Sequence, residues 1–299
     1  MKKNKKYFRL AGLVVLLALV IGASIWLEES IPPVDLADSE HSVFSQNGED
    51  GVIARIFQVI EPTSKFCIEF GAGDGVHLSN VRNLIINHGW HGLLIEGDQK
   101  LSAKCSEVYK DRPDVTCLHK WVYPGNVETI FEDHHVPKDV DFIVIDIDSF
   151  GYYVWKVMHL FRPKLVQIEV NGLFAPPIRA VVEYSPFDYW DNSFYYGASL
   201  QSLYELGKKK GYKLVYMEKR GINAFFVDKK YYDRFNIKDN SPARLYHPHN
   251  YKYSITEKDL HKYIDKDGHI VPGSKDPYFN SDPIVWKKIT IQKHWIIGR

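Results

Sequence analysis

The chain has 299 residues, 45% apolar and 14% aromatic, which excludes wholesale disorder. Its 38 Lys and Arg against 37 Asp and Glu give a formal charge of +1, which excludes a strongly basic nucleic-acid binder. That sum hides an asymmetry, because residues 1–9 hold Lys2, Lys3, Lys5, Lys6 and Arg9 and no acid, leaving a mildly acidic body.

The basic tip is followed by residues 10–27, an 18-residue run without a charge. As a helix it is long enough to cross a bilayer core. No Lys or Arg follows until Arg55. The positive-inside rule therefore predicts a single-pass signal anchor, with the N-terminus cytoplasmic and the body on the far side. A cleaved signal peptide is the competing reading, with Ile21-Gly22-Ala23 as a small-residue cleavage site. Residues 28–44, acidic and carrying Pro32-Pro33, read as a stiff spacer.

From residue 45 to 239 strands and helices alternate. Residues 45–60 predict a turn and a helix with apolar Val52, Ile53, Ile56, Phe57 and Ile60 on one face. KFCIEF (65–70) is a strand, the glycine loop 71–75 follows, and 78–89 is a helix. HGLLIEGD (91–98) is a strand, 99–110 a helix, and DVTCLHK (114–120) a strand. Residues 127–135 are helical, DVDFIVIDID (139–148) is a strand, 152–161 a helix, and KLVQIEVN (164–171) a strand. After an aromatic segment, 172–198, residues 198–211 form a helix, with 211–218 and 222–228 as closing strands. This alternation, with continuous apolar strands, predicts an α/β fold around a parallel sheet. Residues 240–299 lose the rhythm and read as an irregular C-terminal extension packed on the domain. The three cysteines show no zinc spacing; Cys67 reads as a core residue, and a Cys105–Cys117 disulfide is open to an exported domain with nothing in the spacing to support it.

Four apolar runs end in a carboxylate: Glu69, Glu96, Asp146 and Glu169. Ligands of open parallel sheets bind outside the carboxyl ends of the strands, so these acids should share one rim. Gly71, Gly73 and Gly75 allow a tight turn and close backbone approach to a ligand. Glu96, one strand on, is an acceptor suited to a ribose diol. Together they point to an adenosine-type ligand. Asp146 and Asp148, two apart on a predicted strand, with Glu169 and Asn171 beside them, offer oxygen donors suited to Mg²⁺ or Mn²⁺.

Glu69-Phe70-Gly71-Ala72-Gly73-Asp74-Gly75 with the LLIEGD strand resembles the cofactor motifs of class I S-adenosylmethionine-dependent methyltransferases. SQNGEDG, LSN, GWHGLLIEGD, IDID and IEVN together resemble the FkbM-type members, over about residues 43–228. The resemblance implies a Rossmann-like doubly wound sheet of seven strands, the last two an antiparallel hairpin. It also implies S-adenosylmethionine as cofactor. Glu69 with Gly71, Ala72, Gly73 and Gly75 would hold its methionine end, Glu96 its ribose, and Asp146 would face the reacting centre as the catalytic group. The arrangement of Asp146, Asp148, Glu169 and Asn171 is similar to that of divalent-metal O-methyltransferases. The implied reaction is O-methylation of a glycan or small-molecule acceptor. Two rivals remain: a metal-dependent glycosyltransferase using the Asp146-x-Asp148 pair, and a membrane-tethered binding protein without turnover.

Overall fold

The computed structural model describes residues 32–184 and 195–250, the backbone of 284–286, and two helical positions, Val14 and Leu17. The expected membrane span lies outside the described residues except at those two positions. Among the described residues no helix is long and apolar enough to cross a membrane.

Five strands and their connecting helices run in the expected order. They are α1 (Glu49–Ile60), β1 (Phe66–Phe70), α2 (Arg82–His88), β2 (His91–Glu96), α3 (Gln99–Val108), β3 (Val115–His119), α4 (Val127–Asp133), β4 (Phe142–Ile145), α5 (Gly151–Val157) and β5 (Leu165–Glu169). A short β6 (Ala180–Val182) precedes α6 (Leu200–Lys210), β7 (Tyr212–Met217) and β8 (Asn223–Asp228). A 3-10 helix (Lys229–Phe235), one turn of α7 (Pro242–Leu245) and β9 (Ile284–Trp286), paired with β6, complete the described chain. The main sheet has seven strands in the order β3-β2-β1-β4-β5-β8-β7. Its first five are parallel, and β8 is antiparallel to both β5 and β7. This is the doubly wound sheet with a closing hairpin.

Alternation along the strands builds a core on each face. Cys67, Phe142, Val144 and Leu165 meet Val52, Ile53 and Ile56 of α1 on one side. Ile143, Ile145, Val166 and Ile168 meet Phe131, Trp155 and Leu203 of α4–α6 on the other. Burial on both faces explains why the strands read as unbroken apolar runs; each such side chain contributes about 2 kcal/mol. A buried carboxylate, Asp141, accepts N–H bonds from Thr63, Ser64 and Lys65 and pairs with Lys164 at 3.1 Å. It fixes the turn into β1.

Three expectations are corrected. The expected spacer 28–44 is shorter, because the chain joins the domain by Val34, whose N–H bonds Phe235 O at 2.9 Å, and Leu36 is buried. The helix expected over 78–89 starts only at Arg82, since Ser79 and Asn80 are drawn to the Glu69 carboxylate instead. The strand expected over 139–148 ends at Ile145, so Asp146 and Asp148 lie beyond it. The described part of the extension, residues 240–250, packs on the domain as expected, with Tyr246 Oη donating to Gly172 O in the loop after β5. Cys105 and Cys117 form a disulfide joining α3 to β3, and Cys67 is a buried free thiol.

Candidate functional site

One cavity of about 610 Å³ opens at the carboxyl ends of β1, β2, β4 and β5, within the range typical of small-molecule sites. The glycine loop forms its floor. Gly71 and Ala72 donate N–H bonds to Ile95 O at 3.0 and 3.2 Å, which presses the loop onto β2. Gly71 has φ +70, and a Cβ there would lie 1.9 Å from Asp146 O. Only glycine lets the β1 loop cross the end of β4 this closely. Gly73 has φ +56 with open space around its missing Cβ. Its N–H donates to Glu96 Oε2 at 2.8 Å, while Glu96 Oε1 accepts from Asp98 N at 2.7 Å. A carboxylate has about four acceptor positions, so two stay open toward the cavity.

Glu69, 3% exposed, lines the same cavity, but its oxygens already accept from Ser79 Oγ at 2.6 Å and Asn80 N at 2.7 Å. It therefore shapes the turn leading to α2. Gly75 departs from expectation. It does not line the cavity but packs behind the loop, where a Cβ would stand 2.8 Å from Tyr109 and 2.9 Å from Cys105 Sγ.

Asp146, Asp148 and Glu169 bring carboxylate oxygens within 4.8 Å of one another. Strand alternation cannot explain this, because β4 has ended; the turn does it, with Asp148 at φ +53. Asn171 does not line this cavity. Its Nδ2 donates to Tyr196 O and its Oδ1 accepts from Leu173 N, which closes the loop after β5. An amide that does line the cavity beside these acids' strands is Asn223, opposite Glu169 in the β5–β8 register. Its Nδ2 donates to Glu49 Oε1 at 2.9 Å, and its buried Oδ1 has no partner.

Glu49, Gln46, Trp121 and Phe150 also line the cavity and were not expected there. For Glu49 the sequence held one signal, an acid opening the helix after SQNG, and the structure alone shows it 0% exposed. Trp121 and Phe150 carry no such signal. Of the aromatic segment 172–198, Phe174 and Tyr196 are buried away from this cavity, and Tyr184 packs edge-on against Phe150, their centroids 5.4 Å apart. Residues 185–194 lie outside the described residues.

Crowded acids shape the electrostatics. Burial first, then the charges of Asp148, Glu69 and Glu49, push Asp146 up to about 8. Burial first raises Glu169 well above the usual carboxylate range, with Asp146 and Asp148 adding to it. Glu69 rises to about 7, chiefly by burial. These groups bind protons more tightly folded than unfolded. Their contribution to stability is complete below about pH 4 and is lost as pH rises through about 7 to 8. The unfolding temperature in the absence of ligand should therefore fall between about pH 5 and pH 8, and Asp146→Asn should flatten that fall. A midpoint that rises over this range would contradict the account.

No family model and no curated protein matches the chain. Among solved structures it is similar to the N-terminal domain of EvdMO1 determined with SAH and D-fucose, at 12% identity and a TM-score of 0.39, covering 60% of this chain and 82% of that one. It is similar to the methyltransferase domain of bacterial CtHen1 at 13% identity and a TM-score of 0.39, covering 60% and 96%. It is also similar to Aeropyrum pernix fibrillarin with bound S-adenosyl-L-methionine, at 10% identity and a TM-score of 0.38, covering 56% and 67%.

Proposed function

We propose that the chain is an S-adenosylmethionine-dependent methyltransferase of the FkbM type that methylates a hydroxyl of a glycan or small-molecule acceptor. The observation that carries this reading is the join between Gly73 and Glu96 at the cavity floor. It leaves an open glycine backbone and two free carboxylate acceptor positions side by side, which fits a ribose next to a close backbone approach. The cavity is also acid-lined, which fits a cofactor carrying an ammonium and a sulfonium. When bound, S-adenosylmethionine supplies a methyl group already activated for transfer.

The chain's own residues then have three tasks. Glu96 and the backbone of 71–73 orient the adenosine half. The acids Glu49, Glu69, Asp146 and Glu169 surround the positive end with carboxyl groups that a bound cation draws into their charged form. Asp146, raised toward neutrality by its burial, is the group placed to hold the proton leaving the acceptor hydroxyl. Positioning accounts for most of the rate, because the donor needs no further activation.

Asp146, Asp148 and Glu169 would hold a Mg²⁺ or Mn²⁺ ion, with the unpartnered Asn223 Oδ1 in place of the expected Asn171. Such an ion lowers the pKa of a bound hydroxyl. The same acids support a second reading, a glycosyltransferase that binds a nucleotide diphosphate sugar through Asp146 and Asp148. A third is a cofactor-binding protein without turnover. The anchor at 10–27 would tether the domain, and the Cys105–Cys117 disulfide favours an oxidising compartment on the far side of the membrane. S-adenosylmethionine is made in the cytosol, so that location requires its passage across the membrane.

Calorimetry on the purified full chain separates these readings. S-adenosylmethionine should bind at micromolar concentration, and UDP-glucose with Mn²⁺ should not. Failure of the wild type to bind S-adenosylmethionine would remove the methyltransferase, and binding without methyl transfer to any cell extract would leave the third reading.

A further inference from the structure

The two ends of the sheet differ in charge, and the basic end lies where the chain joins the domain. Val34 N–H bonds Phe235 O, the last residue of the 3-10 helix. The same helix reaches the C-terminal end of α1, where Arg234 Nη1 donates to Val59 O. The N-terminal end of α1 faces the cavity. Twelve residues at about 1.5 Å each put the junction roughly 18 Å from the site, at the opposite end of the strands.

That end presents Lys208, Lys209, Lys229, Lys230 and Arg234, all exposed. Asp228 is already paired with Arg162 at 2.6 Å; the exposed acids at this end are Asp233 on the 3-10 helix, Glu61 after α1 and Asp139 before β4, fewer than the bases. Two tyrosines lie among the bases. Lys230 and Arg234 sit 4.9 and 5.2 Å from the Tyr231 ring centre, and Lys213 sits 5.4 Å from that of Tyr232. Amphipathic tyrosine rings among lysines and arginines suit the headgroup zone of a bilayer. The chain supplies the proximity. Only residues 28–33 separate the apolar run from Val34, a reach of about 20 Å when fully extended.

We propose that this basic end, centred on Lys229, Lys230 and Arg234, rests on the anionic phospholipid headgroups of the membrane that holds residues 10–27. The cavity mouth then points away from the bilayer, and acceptors reach it from the aqueous side. The proposal rests on the anchor reading and is independent of the cofactor.

The test reconstitutes the full chain into phosphatidylcholine vesicles with and without phosphatidylglycerol and follows amide exchange. Residues 229–235 should exchange about tenfold more slowly in the anionic vesicles. Raising the salt to about 0.5 M should erase the difference, since surface attraction is screened within a few ångströms there. Exchange at 71–80 should not respond to the lipid. Lys229→Glu with Lys230→Glu should abolish the slowing and leave S-adenosylmethionine binding unchanged. Equal exchange at 229–235 in both lipids overturns the docking face, as does slowing at 71–80 instead. Alkaline carbonate extraction reports the anchor separately: a chain washed off the membrane removes the tether and the proposal with it, whereas a retained chain with equal exchange loses the docking face alone.

Discussion

Replacing Glu96 by alanine should weaken S-adenosylmethionine binding about 100-fold or more while leaving the domain folded. The carboxylate has two tasks in the structure. It holds the glycine loop through Gly73 N–H at 2.8 Å, and it keeps two acceptor positions toward the cavity. A hydrogen bond to a charged group contributes about 1.5–3 kcal/mol. Losing two of them costs the complex about 3 kcal/mol, which is roughly 100-fold in affinity. The fold should survive, because Glu96 is only half-buried and β2 is held by β1 and β3 on either side. Glu96→Gln is the sharper control. Its amide can keep one acceptor but can turn an N–H toward the Gly73 N–H, so it should lie between wild type and alanine. Calorimetry measures the affinities and thermal unfolding checks the fold. An alanine variant that binds within threefold of wild type would show that the ribose sits elsewhere.

Gly71→Ala should be the most damaging single-methyl change in the site, at about 3 kcal/mol or more of folding stability. Two costs combine. The left-handed backbone at φ +70 charges any L side chain about 1 kcal/mol. The new Cβ would also meet the Asp146 carbonyl at 1.9 Å, and neither partner is a flexible side-chain end. The loop between β1 and α2 and the turn after β4 must then separate, which disperses the acids at 146, 148 and 169. Gly73→Ala makes the comparison informative. It carries the same backbone cost at φ +56 but meets nothing within 4 Å. It should lose about 1 kcal/mol of stability, and its methyl group should obstruct the cavity for the cofactor. Urea unfolding of both variants, beside cofactor titration, reads the two effects apart. If Gly71→Ala proves as stable as Gly73→Ala, the close crossing of β1 and β4 is not what that glycine serves.

Short apolar runs, four of them closed by an acid and all separated by helical periods, were enough to give strand order in the chain and the rim on which Glu69, Glu96, Asp146 and Glu169 meet. This follows because a strand buried on both faces has no other composition open to it, and because parallel strands put their carboxyl ends at one edge. The glycine loop was equally legible, since Gly71 and Gly73 serve backbone demands that no other residue meets. The Cys105–Cys117 disulfide was no more than open on the sequence, which carried no signal to choose it over two thiols.

Tertiary structure alone decided three matters. Gly75 went to the back of the loop because Tyr109 and Cys105 of α3 and its C-cap pack there. β4 stopped at Ile145, so the carboxylates of Asp146 and Asp148 converge through a turn with positive φ and not through strand alternation. Asn223, not Asn171, faces the cavity, because β8 runs antiparallel beside β5 and sets Asn223 against Glu169. A sequence specifies which residues can line a strand end. Which side chains share one volume depends on where each strand stops and on the register between segments far apart in the chain, and these are fixed only when the sheet has closed and its helices have packed.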